Sequence, residues 1–197
     1  MKTTIFNTPV ITPFLRLVGN FLMRLTGWRV KGSLPDLPKY IIVGAPHSSN
    51  WDFVLFLGVV FHLRLNVNYM GKMELFRSPI GWFFYYCGGI PVDRSKSTGL
   101  VEQTVEACEK IDHFILVITP EGTRRGVKEW KRGFYHIAKG AGIPIALGKV
   151  DGKHKTVLFG EVFHPTEDVE ADMKVIRDSF KGLVGIKPQK KYIPLEG

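Results

Sequence analysis

A histidine and an aspartate separated by four residues, His47 and Asp52 in the segment HSSNWD, are the side chains best suited to chemistry in this sequence. They follow one apolar run, YIIVGAP, and precede another, FVLFLGVVF. Such a placement is typical of the strand-to-helix turns in which α/β enzymes hold their working residues. Across the turn, Asp52 could accept a hydrogen bond from one imidazole nitrogen and leave the other available as a base. The alternative is that Asp52 only caps the helix and that His47 is an ordinary turn residue.

Two further segments place cationic side chains directly after short apolar strands. In GGIPVDRS, residues 88–95, Arg94 would be a permanently charged donor for a phosphate; the alternative is a solvated surface arginine. In ITPEGTRRG, residues 118–126, a turn offers backbone N–H groups, the Thr123 hydroxyl and the Arg124 guanidinium to one anion. A basic surface loop is the alternative reading of this second segment. Both segments are therefore candidate anion-binding sites.

Charge and motif patterns narrow the class of protein. The chain has 27 Lys and Arg against 18 Asp and Glu, a formal net charge of +9, which favours an anionic partner. It contains no recognisable nucleic-acid-binding module, so we expect no nucleic-acid partner. Cys87 and Cys108 have no ligand-type spacing, which indicates a reducing compartment without structural zinc. The nucleotide-binding and zinc-protease motifs are absent too, so we expect neither a metal nor a bound cofactor.

The elements that must position these side chains alternate between short strands and helices. Strands are predicted at residues 40–45, 66–70, 89–92, 114–118, 145–150 and 157–163. Helices are predicted at residues 52–63, 74–86, 98–111, 133–139 and 167–183. A chain of 197 residues is about one domain in length. The alternation therefore predicts a single α/β domain with helices flanking a mainly parallel sheet.

An amphipathic helix is predicted before this domain. Residues 14–28, FLRLVGNFLMRLTGW, carry a narrow polar stripe on an otherwise apolar stretch. A helix of this length rises about 20 Å and is too short to cross roughly 30 Å of hydrocarbon, but it could lie in the membrane interface. Packing on the domain's own core is the alternative. We therefore divide the chain into an N-terminal membrane-interface segment, residues 1–31, and a catalytic domain, residues 32–197, and expect no transmembrane helix or signal peptide.

Four segments, taken in chain order, resemble the four sequence blocks of the glycerophospholipid acyltransferase family, which includes the 1-acylglycerol-3-phosphate acyltransferases. They are HSSNWD at 47–52, GGIPVDRS at 88–95, PEGTR at 120–124 and GIPIAL at 142–147. The resemblance implies a glycerol-3-phosphate acyltransferase-like fold. It also implies transfer of a fatty acyl group from acyl-CoA or acyl carrier protein, as co-substrate, to the free hydroxyl of 1-acylglycerol-3-phosphate or a similar lysophospholipid.

The resemblance also assigns roles to residues. It makes His47 and Asp52 the general-base dyad. The residues it assigns to binding the phosphate-bearing acceptor are Arg94, Glu121, Gly122, Thr123 and Arg124. Whether Glu121 orients the arginines or the acceptor stays open at this point.

The family assignment carries expectations about location and about competing functions. We expect a peripheral protein on the cytoplasmic face of the membrane, drawn to an anionic surface by its N-terminal segment. The aromatic stretch PIGWFFYY, residues 79–86, could lie at the headgroup level, line an acyl groove or pack in the core. The alternative functions are acyl transfer to another lysolipid, a thioesterase or lipid hydrolase, and a non-catalytic lipid-binding protein.

Overall fold

The computed structural model describes residues 3–93, 95, 99–124, 127 and 129–187. Its strands are β1 (Arg29–Lys31), β2 (Lys39–Ala45), β3 (Tyr69–Lys72), β4 (Gly89–Val92), β5 (Phe114–Ile118), β6 (Ile145–Asp151), β7 (Thr156–Leu158) and β8 (Val162–Phe163). Its helices are α1 (Ile11–Thr26), α2 (Trp51–Leu63), α3 (Met73–Arg77), α4 (Gly81–Tyr86), α5 (Leu100–Glu109), α6 (Gly133–Ala141) and α7 (Val169–Asp178).

Strand β2 is an interior strand of the main sheet, next to the edge strand β5. It pairs in parallel with β5 on one side and with β6 on the other, in the order β1-β7-β6-β2-β5, and β8 pairs with a further part of β6. Its residues are buried on both faces, which explains the unbroken apolar run in its sequence. Ile41 and Val43 belong to the core beneath α5, α6 and α7, whereas Tyr40 and Ile42 belong to the core on the other face, which α2 covers. The predicted α/β architecture with a mainly parallel, helix-flanked sheet is therefore confirmed.

Asn68 attaches the parallel ribbon of β3 and β4 to the edge of the main sheet. Its backbone N–H donates to the carbonyl of Ile115 at 2.7 Å, and its carbonyl accepts from the N–H of Val117 at 3.1 Å. Its side-chain amide donates to the carbonyl of Gly88 at 3.2 Å, just before β4. Because β4 and β5 run in the same direction, their carboxyl ends lie at the same edge as that of β2.

Three details of the predicted elements are wrong. The single helix predicted at 74–86 is two helices, α3 and α4, because Pro79 holds the preceding Ser78 in an extended conformation. The strand predicted at 157–163 is two strands, β7 and β8, with Gly160 between them at a φ of 133°. Strand β1 was not predicted, because three residues of mixed polarity give no periodic signal; it pairs in parallel with β7.

Helix α1 packs against α2 through its smallest residue and turns its apolar face outward. A Cβ on Gly19 would lie 3.4 Å from the Cα of Gly58, and Asn20 Oδ1 lies 2.8 Å from His62 Nδ1. The opposite face is solvent-exposed and apolar, and consists of Ile11, Phe14, Leu17, Val18, Phe21, Leu22 and Leu25. A narrow face of α1 thus packs on α2, and a wide apolar face remains exposed. Every helix in the described ranges falls short of the length and apolar content that crossing a bilayer requires.

Candidate active site

The turn between β2 and α2 carries both residues of the predicted dyad. His47 lies two residues beyond the end of β2, and Asp52 is the second residue of α2. The Nδ1 atom of His47 is 3.0 Å from Oδ2 of Asp52. The Asp52 side chain is 10% exposed, whereas that of His47 is 26% exposed. The carboxylate is therefore covered, and the imidazole it holds remains accessible to a substrate.

Asp52 Oδ2 also holds the backbone of the turn. It accepts the N–H groups of Ser48 and Ser49, each at 2.6 Å. This oxygen therefore holds the turn that precedes α2 and faces the imidazole. The alternative in which Asp52 only caps the helix is wrong, because the amides that it accepts lie before α2 and the helix has no side-chain cap. When His47 is neutral and donates Nδ1–H to this oxygen, its Nε2 atom carries the lone pair that can accept a proton.

The electrostatics of the turn keep Asp52 ionised. Burial by itself would raise the pKa of this carboxyl group, but the hydrogen bonds from His47, Ser49 and Ser48 outweigh burial and hold the pKa below its usual value of 3.8. At neutral pH the carboxylate thus fixes the imidazole tautomer and can stabilise the imidazolium that forms when Nε2 takes up a proton.

Glu121, in the turn after β5, contacts the dyad from the neighbouring strand. It is buried, and its Oε1 atom accepts the backbone N–H of His47 at 3.2 Å. The contact joins the first and third motifs across the parallel pair β2 and β5. It also addresses the role of Glu121 that the sequence left open, because this carboxylate oxygen holds the backbone of the histidine itself.

The remaining residues of the third motif follow Glu121 at the same sheet edge. Gly122 adopts a φ of +63°, in the left-handed region that favours glycine, and a Cβ there would lie 2.9 Å from Cε of Lys131. Thr123 is half-buried and Arg124 is exposed. Lys131 thus brings a further cation next to this turn, and sequence reasoning missed it. In the sequence, Lys131 is marked only by its place in the basic run KEWKR, and the spacing of that run is not characteristic of a binding motif.

The second motif is described except for Arg94. After β4, the N–H of Asp93 donates to Gln103 Oε1 at 2.8 Å, and Gln103 Nε2 donates to the carbonyl of Asp93 at 2.7 Å. This pair of hydrogen bonds ties the end of β4 to α5. Arg94, the predicted phosphate ligand of this motif, lies outside the described residues.

Residues 183–187, which we name the C-terminal strap, also contact the turn between β2 and α2. Ser48 Oγ accepts the N–H of Lys187 at 3.1 Å, and the carbonyl of Val184 accepts the N–H of Gly152 at 2.7 Å. Between them, Gly185 is buried against Ser48 so closely that a Cβ would lie 2.5 Å from the Cβ of Ser48. No motif marks the strap in the sequence, because only the approach of Gly185 to a residue 137 positions earlier reveals it.

Within the described ranges, no three His, Cys, Asp or Glu side chains are grouped closely enough to hold a metal ion.

Comparisons with known proteins agree with the motifs. The family model named Acyltransferase matches residues 27–146. Relatives named 1-acyl-sn-glycerol-3-phosphate acyltransferase are 29% identical over 134 residues in Streptococcus pneumoniae and 32% identical over 134 residues in Escherichia coli. Each match covers 63% of this chain, with 49% of the first relative and 53% of the second. The chain thus spans about half the length of the curated relatives it matches.

A solved structure is also similar. It is the crystal structure of the 1-acyl-sn-glycerophosphate (LPA) acyltransferase PlsC from Thermotoga maritima, with a TM-score of 0.59 and 19% sequence identity. The match covers 86% of this chain and 76% of that chain. At this level of identity, the likeness shows that the two chains share a fold.

The close packing of Gly185 against Ser48 predicts that Gly185 positions the turn that carries His47. Gly185→Ala would push Ser48 away, so we expect the kcat of the acyl transfer that the motifs imply to fall roughly 10- to 100-fold, the scale of an ångström-sized misplacement. Gly133→Ala is the matched control, because a Cβ on Gly133 meets nothing within 4 Å. Adding Ser48→Gly to the first variant removes the clashing atoms and should restore part of the rate. Steady-state kinetics with circular dichroism checks this; a wild-type kcat in a folded Gly185→Ala protein would contradict it.

Proposed function

The chain belongs to the Acyltransferase family of glycerophospholipid acyltransferases, and on that premise we propose that it transfers a fatty acyl group from a thioester to the free hydroxyl of 1-acylglycerol-3-phosphate, giving phosphatidic acid. The observation that carries the proposal is the single carboxylate oxygen of Asp52 that holds both the His47 ring and the amides of its turn. Relatives named for this reaction support the choice of acceptor, and the family model covers the first three motifs.

His47 acts as the general base in this proposal. Its Nε2 atom takes the proton from the acceptor hydroxyl while that oxygen forms a bond to the thioester carbonyl carbon. When the tetrahedral intermediate collapses, the carbon–sulfur bond breaks, and the imidazolium gives the same proton to the leaving thiolate. Asp52, ionised and covered, stabilises the imidazolium between the two steps. Acyl-CoA or acyl carrier protein supplies the thioester as co-substrate, and the reaction balances with no other reactant.

The cationic turn after β5 binds the phosphate of the acceptor. The proposal assigns this role to Arg94 and Arg124, assisted by the Thr123 hydroxyl. The N–H of Gly122 donates to the carbonyl of Thr119 at 3.3 Å, so Gly122 shapes the turn instead of contacting the phosphate. Lys131 adds positive charge beside Gly122. Holding the phosphate fixes the distance from the acceptor hydroxyl to His47, and such orientation can supply several kcal/mol of barrier lowering. Glu121 supports the same geometry by holding the backbone of His47.

Access to a lipid acceptor comes from docking on a membrane surface. Besides the exposed apolar face of α1, the protein exposes aromatic side chains at the start of α2, next to the dyad, and on α4. These are Trp51, Phe53, Trp82, Phe83 and Tyr85. Exposed apolar surface of this extent is typical of interaction sites, and aromatic rings are favoured at the membrane interface. The protein is thus a peripheral one in this proposal. The N-terminal segment, residues 1–31, anchors it to an anionic leaflet on the cytoplasmic side.

The acceptor assignment predicts a phosphate-dependent reaction. We expect labelled palmitoyl thioester to be transferred to lysophosphatidic acid at a far higher kcat/KM than to monoacylglycerol, which lacks the phosphate. Arg124→Gln should lower kcat/KM for lysophosphatidic acid roughly 10- to 100-fold, the scale of one hydrogen bond between charged groups. The same substitution should barely change transfer to monoacylglycerol. Arg29→Gln, an equal loss of charge on the edge strand β1, is the matched control.

Other products of this assay would overturn the acceptor assignment. Free fatty acid released at the same rate with and without acceptor indicates a thioesterase or lipid hydrolase. Transfer only to phosphate-free lipids would agree with His47 as the general base, but it would show that the cationic turn after β5 does not bind the phosphate of the acceptor. Binding of lipid without turnover of any thioester indicates a non-catalytic lipid-binding protein.

Membrane docking predicts that the apolar face of α1 determines binding to vesicles. Leu17 is 68% exposed and Phe21 is 62% exposed, so replacing both by Ser costs the folded protein little. Each side chain would bury in the interface a surface worth about 1.5–3 kcal/mol, so we expect the double variant to bind vesicles at least tenfold more weakly in a sedimentation assay. Val175→Ser is the control, because this exposed residue lies on α7, across the sheet from α1. Unchanged vesicle binding by the α1 variant would contradict the docking face.

A further inference from the structure

A groove of about 660 Å³ lies at the amino-terminal end of α1, outside the site described above. Its walls come from residues 6–9, the part of α1 between Thr12 and Asn20, and Arg64, which follows the last residue of α2. The walls are mostly apolar, and Phe6, Pro9, Pro13 and Leu17 contribute to them. The volume falls within the range of sites that hold small molecules.

Two arginines give the groove its charge. Arg16 and Arg64 both line it, and they are the ionisable side chains among the described residues that do so; none of the described lining residues is acidic. The Nε atom of Arg16 is buried and has no hydrogen-bond partner in the described part of the chain. A buried donor without a partner costs free energy. A rotation of the Arg16 side chain that turns Nε toward an anionic oxygen in the groove would remove this cost. Two guanidinium groups that line one largely apolar groove are suited to binding a phosphate.

The groove opens beside the surface proposed to meet the membrane. Leu17 both lines the groove and belongs to the exposed apolar face of α1. A phospholipid lying next to α1 could therefore place its phosphate between Arg16 and Arg64 while its acyl chains stay in the bilayer. Arg24, one turn beyond Asn20 on the same helix, is exposed and does not line the groove.

The groove is separate from the acceptor site. Arg64 follows the carboxyl end of α2, whereas Asp52 is at the amino end of the same helix. The 13 residues of α2 put about 20 Å between the two ends. A phosphate held by Arg16 and Arg64 is thus too far from His47 to belong to the acceptor whose hydroxyl reacts.

We propose that this groove binds the phosphate headgroup of an anionic phospholipid of the bilayer, with Arg16 and Arg64 as its ligands. The inference rests on the proposed docking of α1 at a membrane and adds to it a headgroup site that fixes the helix to anionic lipid. It predicts a preference for anionic vesicles that depends on two particular arginines, beyond the general attraction of a basic protein to a negative surface.

The first test compares vesicles of phosphatidylcholine with vesicles that also contain phosphatidic acid. We expect Arg16→Gln combined with Arg64→Gln to reduce the preference for the anionic vesicles at least tenfold, and binding to phosphatidylcholine to stay unchanged. Arg24→Gln removes one charge from the same helix and therefore measures how much general electrostatic attraction contributes to vesicle binding. We expect it to reduce the preference for anionic vesicles less than threefold. An equal loss per charge in the two variants would overturn the headgroup site and leave membrane docking intact.

The second test uses soluble probes and requires no membrane. Dihexanoyl phosphatidic acid, below its micelle concentration, should shift the NMR signal of the Arg16 Nε–H group, and the double variant should bind the probe at least tenfold more weakly. Inorganic phosphate should bind much more weakly, because it makes no contact with the apolar walls. Equal affinity for both probes would mark a free-phosphate site and overturn the lipid assignment, as would the absence of any shift.

An activity assay distinguishes failure of the headgroup site from failure of the proposed acyl transfer. Transfer to a short-chain, soluble lysophosphatidic acid should be unchanged in the double variant, which also shows that the variant is folded. Loss of this activity in a folded double variant would place the two arginines in the reaction and overturn a separate headgroup site.

Discussion

One carboxylate oxygen organises the turn between β2 and α2. Oδ2 of Asp52 accepts two backbone amides of the turn and faces the imidazole of His47, so the conformation of the backbone and the tautomer of the imidazole depend on the same atom. Burial opposes the charge on this atom, and the hydrogen bonds retain it. The spacing of four residues between His47 and Asp52 follows from this geometry, since the chain must turn back far enough for the aspartate to reach the amides and the ring together.

The rest of the domain can be understood as support for that turn. Strand β2 ends two residues before His47 and is held on both sides by parallel neighbours, so the turn starts from a strand whose backbone is paired along both edges. Glu121 reaches it from the end of β5, and the C-terminal strap reaches it through Ser48. Asn68 brings the ribbon that ends in Asp93 to the same edge. Segments far apart in sequence therefore converge on one small volume because their strands are parallel.

The sequence predicted those parts of the structure that have a local signal. The apolar run of β2 and the spacing of His47 and Asp52 are both local, and the structure has the strand and brings the two side chains together. The contact of Glu121 with the His47 backbone depends on which strands are neighbours, which no local pattern contains. The approach of Gly185 to Ser48 and of Lys131 to Gly122 depends on packing in the same way. On α1, the hydrophobic pattern showed an apolar face, but only the position of α2 shows that this face points outward.

The central claim is that His47, oriented by Asp52, is the base in an acyl transfer to a lysophospholipid hydroxyl. The most direct measurement is the single-turnover rate of transfer from palmitoyl thioester to lysophosphatidic acid by wild-type protein and by His47→Gln protein. The glutamine side chain keeps a polar group of similar reach but cannot accept the proton as imidazole does. The account predicts a rate lower by roughly 10²- to 10⁴-fold in a folded variant, as expected when a general base is lost. A folded His47→Gln protein that keeps most of the wild-type rate would contradict it.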